Sequence, residues 1–225
     1  MIVGLLGFIG SGKGTAGEFL EEQGFHKVSF ASGVKDITSE MFDWPRHLLE
    51  GDTNESREFR ETTDKFWSDN LSKEFTPRLA LQLMGTEVGR QVFHTDFWII
   101  KLKRYMEKLQ SKHFVVTDVR FANEINFVKK QGGILIEIQR GIKPHWYDLA
   151  SRANKGSHKE EDFMLTRSGV HESEWRWIGH DMDYIVENNG TLEQLQSKLI
   201  KCLTTSYGSS IMSEINEGVR NETIK

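Results

Sequence analysis

The sequence predicts an α/β fold, a central parallel sheet layered between helices, and three observations carry that prediction. Short apolar runs alternate along the chain with amphipathic helical patterns, the order expected of parallel strands joined by crossover helices. The first run, Ile2 to Leu6, leads into a glycine-rich segment and then a helical pattern bearing Phe19 and Leu20, so strand, loop and helix follow one another directly. The length, 225 residues, exceeds the usual size of one domain without reaching that of two, which suggests one domain with a sizeable insertion.

Five runs read as strands: Ile2 to Leu6, Lys27 to Phe30, Phe114 to Thr117, Ile134 to Ile138 and Tyr184 to Val186. The helices carry their own start signals. Thr76 and Pro77 supply an N-cap and a first-turn proline ahead of Leu79 and Leu83. Asp96 opens a helix with Ile99, Leu102, Met106 and Leu109 on one face. Thr191 and Gln194 have capping-box spacing ahead of Leu192, Leu195 and Leu199. Two stretches break the alternation. Residues 43–75 are polar and charge-rich, and residues 141–180 mix basic, acidic, histidine and tryptophan residues without clear periodicity. Both are expected as insertions or mobile elements over a site, within a single domain at 1–203 followed by a polar tail at 204–225.

Composition narrows the function. Hydrophobic residues make up 37% and charged residues 28%, and 6 Trp, 4 Tyr and 14 Phe are enough for a packed core, which excludes disorder throughout. A formal charge of −4 supplies no global basic field, so binding along a nucleic-acid polymer is not expected and any phosphate recognition must be local. The one cysteine, Cys202, permits neither an internal disulfide nor a multi-cysteine zinc site, which suits a reducing cytoplasm. No apolar run approaches the ~20 residues needed to cross a bilayer. The apolar start lacks a basic leader and reads as a buried strand rather than a signal peptide.

The strongest local signal is Gly7-Phe8-Ile9-Gly10-Ser11-Gly12-Lys13-Gly14-Thr15. Such glycines let successive backbone N–H groups wrap phosphate oxygens, and the helix N-terminus behind them adds a favourable dipole. Lys13 would reach the β and γ phosphates of a nucleotide. A Ser or Thr usually follows that lysine directly; here Gly14 intervenes before Thr15. This variant resembles the loop of adenylate kinase and related nucleoside monophosphate kinases. A guanine-selecting Asn-Lys-x-Asp segment would mark a GTPase, and the nearest stretch, Asn154-Lys155-Gly156-Ser157, lacks the acid. A kinase is favoured over a switch.

Phe114 to Arg120 is an apolar strand with an acid at its carboxyl end, where ligands of open α/β sheets bind. Asp118 could hold Mg²⁺ through water or orient an acceptor group, and Arg120 could fork onto a phosphate; the alternative is a salt bridge at a strand end. Phosphoryl transfer needs cations near donor and acceptor. Candidates are Lys35, Arg57, Arg60, Arg78, Arg120, Arg140, Arg152 and Arg167. Lys35 closely follows the second strand, Arg78 lies in the first turn of a capped helix, and Arg140 ends the fourth strand.

Taken together, GFIGSGKGT at 7–15, SFASGVKD at 29–36, TPRLALQLMGTEVGR at 76–90, DFWIIKL at 96–102, TDVRFANE at 117–124, GVHESEW at 169–175 and DYIVENNGTLEQL at 183–195 resemble the bacteriophage deoxynucleoside monophosphate kinase family. The resemblance implies the P-loop kinase three-layer fold, a five-stranded parallel sheet with helical lid and substrate-binding insertions. It implies transfer of the γ-phosphoryl of ATP to a deoxynucleoside 5′-monophosphate, with Mg²⁺. By that implication Gly10, Ser11, Gly12, Lys13, Gly14 and Thr15 hold ATP phosphates, and the stretch Asn188-Asn189-Gly190, with Asn189 and Gly190 as its binding candidates, lies beside the adenine. Lys13, Asp118, Arg120 and Arg140 are the catalytic candidates, with Thr15 and Asp118 towards the metal. Lys35, Arg78, Trp98, Asp118, Arg120, His171 and Glu174 face the acceptor, Trp98 packing on a base or sugar unless it is a core aromatic. The segment from His145 to Val170 departs from compact members and reads as a lid that excludes water. The partners implied are single nucleotides, with no nucleic-acid polymer and no membrane; a homodimer stays open. Two other readings stay open as well. A dephospho-coenzyme A kinase would phosphorylate that substrate and no deoxynucleotide, and a regulatory nucleotide-binding protein would bind ATP without turnover.

Overall fold

The apolar runs become five strands of one sheet, β1 (Ile2–Leu6), β2 (His26–Val28), β3 (Phe114–Val116), β4 (Ile134–Gln139) and β5 (Tyr184–Glu187), in the order β2-β3-β1-β4-β5. A computed structural model describes residues 1–109 and 111–209. Every strand pair is parallel; Val3 of the central β1 lies between Val115 of β3 and Ile134 of β4. The helices in chain order are α1 (Lys13–Glu22), α2 (Ser32–Phe42), α3 (Asn54–Glu61), α4 (Lys65–Leu71), α5 (Pro77–Gln82), α6 (Phe97–Met106), α7 (Ala122–Lys130), α8 (Tyr147–Asn154), α9 (His158–Thr166) and α10 (Leu192–Tyr207). The chain forms two compact units, the first made of Met1–Ser29 and the residues from Met106 on, the second of Phe30–Tyr105.

In the first unit, alternation along the strands decides what each face buries. Val3 and Leu5 of β1 and Ile134, Ile136 and Ile138 of β4 pack with Ala16 and Leu20 of α1 and with Leu195, Leu199 and Leu203 of α10. The capping box predicted at Thr191 forms: the Gln194 N–H donates to Thr191 Oγ1 at 3.4 Å, and the Thr191 N–H to Gln194 Oε1 at 3.1 Å. The helix runs through Tyr207, into the expected tail, whose residues 210–225 lie outside those described. The 141–180 stretch holds α8, α9 and a 3₁₀ turn at Glu172–Glu174. It buries Ala150, Ala153, Met164, Trp175, Trp177 and Ile178. Its core of small and aromatic residues has no aliphatic period, which is why the sequence shows none.

The second unit explains the charge-rich stretch 43–75. Phe42 stacks on Trp44 at 4.7 Å and meets Trp67 at 5.0 Å and Phe75 at 5.2 Å, and Leu49 is fully buried beside them. The polar residues serve this cluster. Asp64 caps α4 by accepting from the Trp67 N–H at 3.0 Å, and its other oxygen accepts from Trp44 Nε1 at 2.8 Å. The Thr76 cap of α5 forms as expected, accepting from the Leu79 N–H at 3.1 Å. Beyond Gln82 the helix widens into a π-helical stretch, Leu83–Phe93, which sequence patterning does not reveal. There Trp98 of α6 donates Nε1–H to the Gly85 carbonyl at 2.7 Å. A Cβ on Gly89 would come within 2.3 Å of that indole nitrogen, so only glycine lets the ring lie this close.

Candidate active site

The glycine loop connects β1 to α1 at the carboxyl end of the central strand, the point where strand order reverses and ligands of such sheets bind. Gly12 has φ 102° and caps α1, and a Cβ there would lie 2.3 Å from Asn188 Nδ2. The first-turn N–H groups of α1 have no intrahelical acceptor and point into the loop. Asn188 braces it by donating to the Ser11 carbonyl at 2.9 Å. Ser11 Oγ is buried and has no hydrogen-bond partner among the described residues. Lys13 Nζ folds onto its own loop, donating to the carbonyls of Gly7 at 2.7 Å and Phe8 at 2.8 Å.

The neighbouring strand supplies the opposite charges. Asp118 follows β3, and Ser29, which follows β2, donates its hydroxyl to Asp118 Oδ2 at 2.8 Å. Arg120 reaches the 3₁₀ turn of the 141–180 stretch, donating to Glu174 Oε1 at 2.9 Å and to the Ser173 carbonyl at 3.1 Å. Its own N–H and that of Phe121 donate to buried Glu124, in the first turn of α7. Burial lowers the Lys13 ammonium from its ordinary 10.5 to about 8, and the Arg120 charge pushes the same way, while Glu174 and Asp118 oppose both. Burial also works against Arg120, but Glu174, then Asp118 and Glu124, outweigh it and hold its guanidinium above its ordinary value. Lys13, Asp118, Arg120 and Glu174 therefore form one electrostatic group.

The other expected residues fall in several places. Thr15 is exposed in the first turn of α1, and Arg140 is exposed at the end of β4. Next to Arg140, the Gly141 N–H donates to Asn189 Oδ1 at 3.0 Å, and Gly190 follows on the same exposed turn. His171 caps the 3₁₀ turn: its Nδ1 accepts from the Ser173 N–H at 3.3 Å and lies 2.9 Å from Ser173 Oγ. Arg152 pairs with Glu160 at 3.2 Å, and Arg167 is exposed. Lys35, Arg57, Arg60, Arg78 and Trp98 belong to the second unit. There Lys35 pairs with Glu50 at 2.5 Å and Arg78 with Glu61 at 2.8 Å. Arg57 donates to the carbonyls of Gly51 and Asp52, and Arg60 to that of Glu50. Burial alone would raise the Glu50 carboxyl, but Lys35 and Arg46 hold it low. Trp98 is 2% exposed, its indole N–H already committed to Gly85. Asn188, singled out with Asn189 and Gly190 in the sequence, is the residue that braces the glycine loop. Sequence reasoning missed the parts of Phe8, Ser29 and Arg46, whose partners lie far along the chain or carry no local signal.

A lysine thus folds into a glycine loop at the end of the central strand, with an acid and an arginine at the end of the neighbouring strand, the layout of a P-loop. Fold and site together place the chain among the P-loop kinases. A model of the deoxynucleotide monophosphate kinase family matches residues 46–199. The chain belongs to that family. A protein of Acanthamoeba polyphaga mimivirus that carries the family's name is 31% identical over 90% of this chain and 96% of its own length. The deoxynucleoside-5′-monophosphate kinase of Escherichia phage T5 is 49% identical over 22% of this chain and 20% of its own. Among solved structures, TT1252 from Thermus thermophilus aligns with TM-score 0.43 at 17% identity, over 91% of this chain and 97% of that one. No helix among the described residues is long and apolar enough to cross a membrane.

Proposed function

We propose that the protein transfers the γ-phosphoryl of ATP to a deoxynucleoside 5′-monophosphate, with Mg²⁺, giving the diphosphate and ADP. The grouping of Lys13, Asp118 and Arg120 around the glycine loop carries this reading. The loop fits a polyphosphate: Ser11 Oγ is buried there without a partner among the described residues, and Cβ positions on Gly10 and Gly14 would open onto empty space. Backbone N–H groups of Gly10 to Thr15 would hold the β and γ phosphates, with Asn189 and Gly190 beside the adenine. No group of three or more acidic, histidine or cysteine side chains among the described residues makes a metal cage. Mg²⁺ keeps waters and phosphate ligands and needs only one or two protein oxygens, which Thr15 and Asp118 would supply. When bound, Mg²⁺ supplies charge neutralisation on the phosphate oxygens.

The acceptor's phosphate oxygen is already a competent nucleophile, so the chain needs no strong general base. It attacks the γ-phosphorus in line as the bond to the β-bridging oxygen breaks, and no enzyme-bound intermediate forms. Lys13 and Arg120 neutralise charge on the transferring group, and Ser29 holds Asp118 in place. Arg140 is a further donor-side cation. We assign Lys35 and Arg78 to the acceptor's phosphate, on the family resemblance. Trp98 is assigned to packing, because its ring is buried and its N–H is engaged. The 141–180 stretch is read as the cover that keeps water from the phosphates. The substrates are read as free nucleotides of a reducing cytoplasm, since the positive charge is local and the net charge is −4.

ADP release is to be measured against dTMP, dGMP, dCMP, dAMP and their ribose counterparts. Phosphorylation of at least one deoxynucleotide is expected, with a loss of about 10²-fold or more in turnover for Arg120→Ala at retained fold. Phosphorylation of dephospho-coenzyme A but of no deoxynucleotide would overturn the assignment.

A further inference from the structure

The 141–180 stretch reaches both cations of the phosphate site, by two routes that meet. On the first route, Phe8 of the glycine loop offers its carbonyl to Lys13 Nζ at 2.8 Å and to the Ser11 N–H at 3.1 Å. Its ring is held edge-on by Trp146 at 5.7 Å, Tyr147 at 6.1 Å and Trp177 at 5.1 Å. On the second route, Arg120 is held by the Glu174 carboxylate and the Ser173 carbonyl. Trp177 joins them, since its Nε1–H donates to the Glu174 carbonyl at 3.0 Å. A continuous path of packed rings and hydrogen bonds thus runs from Lys13 through Phe8, Trp177 and Glu174 to Arg120.

We propose that Phe8 is a positioning residue: its ring, clasped by Trp146, Tyr147 and Trp177, fixes the glycine loop against the 141–180 stretch, so that Lys13 and Arg120 are set together. The proposal rests on the reading of the loop as the donor-phosphate site. Phe8 has no polar side-chain atom and no chemistry of its own; it acts through its backbone carbonyl and its ring. Edge-to-face pairs favour particular orientations beyond area burial, so an aliphatic side chain of similar size would fill the space without holding the angle. The stretch is then more than a cover, because α8 carries ring partners of Phe8 and the 3₁₀ turn carries the partners of Arg120, so that its displacement as a whole moves the anchors of both cations.

The test compares Phe8→Leu and Trp146→Ala with the full-length wild type, using inorganic pyrophosphate as the binding probe and calorimetry as the readout. Each is expected to weaken pyrophosphate binding by about tenfold, whereas Trp146→Phe, which keeps an aromatic edge, retains it. A purely space-filling Phe8 would lower the melting temperature and leave that affinity unchanged. The second readout is coupling. Phe8→Leu and Glu174→Gln alter side chains on separate elements, so independent effects on kcat/KM would multiply; the double variant is expected to depart from that product by about threefold or more. Wild-type pyrophosphate affinity in folded Phe8→Leu and Trp146→Ala, or strictly multiplicative effects, overturns the proposal. If the wild type binds pyrophosphate and phosphorylates no deoxynucleotide, the functional assignment falls while the positioning result stands on the binding data.

Discussion

Replacing Lys13 by Met should abolish turnover and make the ligand-free protein more stable. The folded protein holds the Lys13 ammonium at about 8 against an ordinary 10.5. At about 1.36 kcal/mol per pH unit, the charged lysine costs the fold ~3 kcal/mol at pH 7. Methionine keeps most of the aliphatic stem and loses the hydrogen bonds to the Gly7 and Phe8 carbonyls, about 1 kcal/mol each. The net gain is therefore about 1 kcal/mol, or ~2–4 °C in Tm for a chain of this size. The sign has a pH signature. Because the folded value lies below the unfolded one, the unfolded wild type carries the extra proton between pH 8 and 10.5, and wild-type stability rises across that window. The advantage of Lys13→Met is thus greatest below pH 8 and becomes a deficit near pH 10, where the wild-type lysine is neutral and still hydrogen-bonded. Urea unfolding of both proteins at pH 7 and pH 10 measures it, and the other titrating groups cancel in the difference. A variant less stable than wild type at pH 7, or a difference of the same size at both pH values, refutes the reasoning. The loss of function with gain of stability is what a buried cation kept for a ligand implies.

Two further outcomes follow from the same contacts. Glu174 is among the charges that raise Lys13 against the pull of burial and Arg120, so Glu174→Gln should move the alkaline limb of kcat/KM, expected near pH 8 in the wild type, to lower pH; an unmoved limb removes Glu174 from the electrostatic group. Alanine normally stabilises a helix relative to glycine by ~1 kcal/mol, yet Gly89→Ala should destabilise the protein by ~1–3 kcal/mol, because its Cβ would meet the Trp98 indole at 2.3 Å. A higher melting temperature for Gly89→Ala would show that the ring yields.

Much of the first unit was legible because its signals are local. The strands stand within one or two residues of the apolar runs, and Thr191 caps the helix it was expected to cap, as Thr76 does in the second unit. The second strand ends at Val28 rather than Phe30, leaving Ser29 at its carboxyl end to hold Asp118. The helix opened at Asp96 ends at Met106, short of Leu109. The charge-rich stretch read as an insertion because its polar residues are numerous; its structure is set by Phe42, Trp44, Trp67 and Phe75, whose spacing follows no helix or strand period.

The sequence by itself determined the phosphate loop, the strand that precedes it, the acid and arginine at the end of a second strand, and the caps that start the helices. Each depends on residues a few positions apart, where backbone conformation and hydrogen bonding are decided by immediate neighbours. The tertiary structure alone decided that Arg120 pairs with Glu174, a partner 54 residues away, and that Phe8 sits among aromatics of the 141–180 stretch. It also committed Trp98 to the π-helical stretch. These partners meet only through packing, and side-chain periodicity carries no information about which distant surface a residue will face. The depressed Lys13 titration follows from those meetings: the loop places the lysine, and its burial, with Arg120, Glu174 and Asp118 around it, sets its charge.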